Sequence, residues 1–144
     1  MFLSEFKARR FLIIVLLSSI WIHISEVFRY FVFVIPRVQS FFDYRDGIAA
    51  MNWTIFGIWA FWDMLLTTIL VIVFWLCKQA IGQQKQAILV SANLVWVAVF
   101  VIFWVAAANM GLSEWRLLFI TLPLSWFEMM VGAFIVSKLY AIKK

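Results

Sequence analysis

Five ionisable side chains interrupt otherwise apolar stretches of the sequence: His23, Glu26, Arg29, Asp63 and Glu128, with the amide of Asn93 in a further stretch. Carboxyl groups and an imidazole can exchange protons, hold a cation, or act as acid and base on a bound substrate. Their spacing puts them on helix faces. Ser19, His23, Glu26 and Tyr30 form one stripe, and Arg29 stands three residues from Glu26, within ion-pair reach. Trp59, Asp63 and Thr67 form a second stripe. Thr121, Ser125, Glu128 and Gly132 form a third, and Asn93, Trp96, Phe100 and Trp104 a fourth.

The elements that must carry these faces are set by composition. Of 144 residues 67% are hydrophobic and only 13% charged, with a mean hydropathy of +1.04. A soluble domain runs nearer about 45–50% apolar and about 25% charged. So apolar a chain excludes a cytosolic enzyme and a disordered segment, and its single Cys excludes a disulfide scaffold. Four stretches have the length of a membrane-spanning helix, about 17–25 residues: Phe11 to about Pro36, Trp53–Cys77, about Ala87 to Asn109, and Leu117 to about Leu139. Short alternating strands are absent, so a barrel is not expected. The expected fold is all-α, one transmembrane domain over residues 1–144. Short links make it an antiparallel four-helix bundle, up-down-up-down, with an interfacial link over residues 37–52.

Basic residues orient it. Lys7, Arg9, Arg10, Lys78, Lys85, Lys138, Lys143 and Lys144 fall on one side. Arg37, Arg45 and Arg116 fall on the other, among Asp43, Asp46 and Glu114. The excess predicts that both termini are cytoplasmic, with the first helix an uncleaved anchor rather than a removed signal peptide. It also accounts for the net positive charge without a nucleic-acid partner. Ser113 followed by Glu114 reads as a helix N-cap, Gly47 as a helix stop, and Pro123 as a kink one turn before Glu128. Asn52-Trp53-Thr54 is a chance sequon against the membrane, and Cys77 an apolar filler.

Counting about 1.5 Å per residue places His23, Asp63 and Glu128 near the midplane, with Glu26 and Arg29 nearer the far surface. The expected site is therefore an intramembrane pocket of His23, Glu26, Asp63, Glu128 and Asn93, walled by Trp59, Trp96, Trp104 and Trp126. Glu26–Arg29 is read as a structural ion pair, with no cation at the depth of Asp63 or Glu128. Such unpaired acids must find a partner or take a proton. One His cannot supply a haem ligand pair, and neither Cys/His clusters nor paired Glu-x-x-His motifs occur, so neither metal nor cofactor is expected.

The order His23, Pro36, Asp63, Asn93 among many aromatics resembles that of the EXPERA group of four-helix sterol-isomerase proteins. The resemblance implies an acid–base double-bond shift on a sterol-like ligand, with Trp rings facing a carbocation. Three readings stay open from the residues themselves. The chain is a small carrier or binding protein for a small amphipathic or cationic ligand or for protons, forming a homo-oligomer. Or it is an intramembrane acid–base enzyme acting on a lipid, or an accessory subunit whose acids meet a partner helix in a membrane complex.

Overall fold

A computed structural model describes residues 8–142; Lys7, Lys143 and Lys144 of the charge asymmetry lie outside the described residues. Four helices are long and apolar enough to cross a membrane: α1 Ala8–Phe41, α2 Trp53–Ile81, α3 Gln84–Asn109 and α4 Trp115–Ala141. No strand occurs among the described residues. The spans match the expected four, each extended by a few residues, because the helical ladder continues past the apolar run into the interfacial zone. α1 runs straight through Pro36. A π-helical turn, Tyr30–Val34, ends two residues before the proline, so the ordinary ladder is already interrupted where the ring removes a donor.

The helix ends show what the short links must satisfy. Asn52 caps α2: its side-chain oxygen accepts from the Ile55 N–H at 2.9 Å, a local role that the sequon reading passed over. α2 stops at Gly82, whose φ of 75° turns the chain and directs its N–H to the Lys78 carbonyl. Only Gln83 then separates the turn from α3. Two expectations are corrected here. The N-cap position of α4 is Glu114, with extended backbone and no side-chain bond, while Ser113 is buried one residue earlier. Gly47 does turn with positive φ, but inside the 42–52 link, after α1 has already ended at Phe41.

α1 and α3 each pack against both α2 and α4, and α2 meets α4 across the diagonal. The bundle is layered along its axis. At the end holding the termini, the Arg10 guanidinium bonds the Tyr140 and Ile142 carbonyls and lies over the Tyr140 ring. Gln84 reaches Ser137 from α3. Next come two apolar layers, one around Phe74, Val71 and Val136, the other around Ile22, Leu70, Met129 and Ala133. Gly132 lets α1, α2 and α4 close together: a Cβ there would stand 3.0 Å from a Leu70 methyl and 3.1 Å from an Ile22 methyl. The polar layer lies beyond this closest approach.

Gly132→Val should therefore destabilise the bundle by about 1–3 kcal/mol through overpacking, read as a lowered thermal midpoint in detergent. Gly57→Ala, which meets nothing within 4 Å, should leave that midpoint unchanged or raise it, since alanine favours the helix by about 1 kcal/mol.

Candidate functional site

The polar layer is a charge cluster to which all four helices contribute. Glu128 of α4 is fully buried, and its Oε2 accepts from Ser25 Oγ of α1 at 2.7 Å. Arg29 Nη1 lies 3.6 Å from that same oxygen. Arg29 Nη2 bonds Glu26 Oε1. The guanidinium carbon stands 4.8 Å above the Phe100 ring of α3, a cation–π contact in a desolvated setting. Asp63 of α2, 1% exposed, sits within the fields of Glu26 and Arg29, with the Trp59 and Trp62 side chains close to its carboxyl group. The two ends of the guanidinium thus join Glu26 and Glu128. A further α1–α4 tie holds the cluster in register: Trp21 Nε1 donates to the Glu128 carbonyl at 3.0 Å.

Two carboxyl groups, Glu26 and Glu128, thus reach one guanidinium, while Asp63 is buried nearby with no ion pair to it among the described residues. Arg29 Nη1, Asp63 Oδ1 and Glu128 Oε1 are buried without a hydrogen-bond partner among the described residues. The Glu26 and Glu128 carboxyls gather around the arginine rather than around a common point. Among the described residues no three His, Cys, Asp or Glu side chains come together as a metal ion requires.

Arg29 was expected near the surface, engaged by Glu26 alone. It does pair with Glu26, but it also supplies the cation at the depth of Glu128 that the residue count lacked. A helical side chain leans back toward the N-terminus of its helix, and arginine is long enough to descend about one turn, 5.4 Å. The inner face of α1 is accordingly centred on Ser18, Ile22 and Arg29, all buried, with Ser25 between them; of the expected stripe Ser19 is buried and Glu26 meets Arg29, while His23 lies at its edge.

Two π-helical turns position the cluster. Tyr30–Val34 begins directly after Arg29, and Trp96–Val101 of α3 contains Phe100, the ring under the guanidinium. Each inserts one residue, so the buried positions step by five, from Arg29 to Val34 and from Val95 to Phe100. That fivefold step in the apolar pattern is the sequence signal for these turns. Counting through it at 3.6 residues per turn misplaces everything on the far side by about 100°.

The expected residues separate accordingly. Glu26 and Glu128 come together on Arg29, and Asp63 is buried on the facing helix without an ion pair among the described residues. His23 does not join them: its ring folds back so that Nδ1 meets the Ser19 carbonyl at 2.8 Å within α1. Asn93 is exposed on the bundle's outside, where it donates to the Leu89 carbonyl and accepts from Trp126 Nε1 at 3.1 Å. The α3 stripe crosses the π turn, which is why its two ends face differently. The tryptophans form no common wall around the acids. Of the four tryptophans expected there, Trp59 alone adjoins them, buried and edge-on to Tyr30 at 4.7 Å. Trp104 pairs with Phe103. Trp96 and Trp126 line an outward-opening cleft that contains none of the acids. Ser25 and Phe100 are the site contacts that residue type alone did not single out.

No protein-family model matches the chain, and neither the curated proteins nor the solved structures give a significant match. The class rests on the fold: a four-helix, multi-pass membrane protein with a buried charge cluster.

Removing the one cation from this cluster, as in Arg29→Met, should destabilise the protein by about 3–5 kcal/mol, because buried carboxyls lose their partner. Adding Glu128→Gln to Arg29→Met should recover part of that loss. A double-mutant cycle of thermal midpoints in detergent checks the coupling; strictly additive losses would show that the two side chains act independently.

Proposed function

We propose that this protein exchanges protons for a small cationic or amphipathic ligand at the Glu26/Asp63/Glu128 cluster. The observation that carries the reading is the charge imbalance: two fully buried acids, Asp63 and Glu128, and the partly buried Glu26 share one guanidinium's neighbourhood. Formal charges left uncompensated in a low-dielectric bundle are prohibitive. Two further positive charges must therefore be supplied, as protons or as a cationic ligand. The buried oxygens of Asp63 and Glu128 that lack partners are the acceptors available to either.

The chain's own residues divide the work. Arg29 holds Glu26 and one oxygen of Glu128 and fixes their spacing. Ser25 donates to Glu128 and orients it across the α1–α4 interface. Asp63 approaches from α2 beside two indole rings, a setting in which an organic cation gains about 2 kcal/mol or more from the ring faces when desolvated. The acids are closed in on all sides, so exchange needs a second arrangement in which the helices part. The two π turns flanking Arg29 and Phe100 are the points where α1 and α3 can change register locally. The excess of Lys and Arg at the end holding the termini supports a cytoplasmic placement of both.

Vesicles containing the purified protein, loaded with a fluorescent lipophilic amine, provide the test. Cation binding and protonation compete, so the probe's affinity should rise with pH across the acids' titration range. Asp63→Asn and Glu128→Gln, near-isosteres of the protonated acids, should flatten that dependence while keeping the thermal midpoint. Variants that behave like the parent at every pH would make the acids purely structural and overturn the reading.

A further inference from the structure

A second feature lies apart from the charge cluster and independent of the function proposed for it. On the outside of the bundle, Trp96 of α3 and Trp115, Phe119, Leu122, Pro123 and Trp126 of α4 line an open cleft of about 740 Å³, within the range of about 300–1,000 Å³ typical of ligand sites. It is apolar throughout its depth. Two of its three indole N–H groups are already taken up, Trp96 Nε1 by the Leu122 carbonyl at 2.9 Å and Trp126 Nε1 by Asn93 Oδ1, leaving that of Trp115 at the start of α4. Below Trp115 only ring faces and alkyl groups are left to the bilayer.

The length of the cleft identifies what fits it. From Trp115 to Trp126 is about 16 Å at 1.5 Å per residue, half of a hydrocarbon core of about 30 Å. The cleft therefore spans one leaflet, the one on the side opposite the termini, and ends near the midplane. A transmembrane helix of a partner would need a groove running through both leaflets. A single acyl chain needs one. Next to the cleft residue Trp115, in the first turn of α4, Arg116 is exposed and makes no ion pair or hydrogen bond among the described residues. An unpaired guanidinium at headgroup level complements a phosphate, which it can grip with two parallel N–H bonds.

We propose that this cleft is a phospholipid site, with one acyl chain lying along α4 down to Trp126 and Trp96 and the lipid phosphate held by Arg116. The aromatic walls and the notch at Pro123, which has no N–H to present, fix the chain; the arginine fixes the headgroup.

The test uses the full chain in phosphatidylcholine vesicles doped with a phosphatidylcholine carrying a diazirine at the end of one acyl chain. After illumination, adducts are mapped on peptides. Adducts should concentrate around Trp96 and Trp126, well above those on the more exposed residues Phe61 and Phe103. Arg116→Gln should lower that labelling about fivefold, the effect of one basic residue on a lipid phosphate, and Arg116→Lys should restore most of it. A diacylglycerol with the same diazirine chain but no phosphate should show no dependence on residue 116. Leu122→Trp, which fills the cleft, should remove the preference for both probes. Even labelling around the whole bundle would mean ordinary annular lipid and overturn the proposal. So would phospholipid labelling indifferent to Arg116→Gln, or a cleft whose main cross-link is to a second copy of the chain.

Discussion

Arg29 is an arginine buried inside a membrane bundle, and the arrangement of the other helices around it follows from that fact. An ion transferred from water to such an interior costs several kcal/mol even after relaxation. The guanidinium cannot be neutralised by losing a proton, so the surroundings must adapt to it. They do so with Glu26 one turn below on its own helix, Glu128 from α4, and the face of Phe100 from α3. Each contact fixes a register. The bonds from Ser25 and Trp21 to Glu128 tie α1 to α4 over the same turn, so the arginine sits where the two helices can least easily slide.

The same constraint explains the two π turns. A helix of ordinary pitch that buries Ile22 and Arg29 would carry its following residues off the bundle face. One inserted residue in α1, after Arg29, brings Val34 back to it. In α3 the insertion after Val95 brings Phe100 under the guanidinium. Backbone irregularity at membrane depth is tolerated only where protein covers it, and here it is spent on the charged layer. The apolar layers below, closed by Gly132, need no such adjustment.

Two kinds of surface result, separated by α4. Its inner face carries Thr121, Ser125 and Glu128, all fully buried; its outer face carries the aromatic cleft. Trp96 stands between them, its indole N–H near both the Leu122 carbonyl and Ser125 Oγ. The proton and cation exchange proposed for the inside and the acyl chain proposed for the outside draw on different residues and fail separately.

The sequence by itself determined the class, the number of spans and the inner faces of α2 and α4. Unbroken 3.6-residue periodicity ran through Trp59, Asp63 and Thr67, and through Thr121, Ser125 and Glu128, so residue type and phase agreed. The tertiary structure alone decided which polar residues meet. His23 found its acceptor within its own helix, and a local bond of that kind leaves no mark on spacing. Asn93 was turned to the outside because a π insertion changed the phase of α3 beyond it. Arg29, assigned to the surface by the position of its Cα, became the centre of the site because a long side chain ends well away from its backbone. Helical phase is a property of the backbone and can be counted along a sequence; the reach of a side chain toward another helix is settled only when that helix is in place.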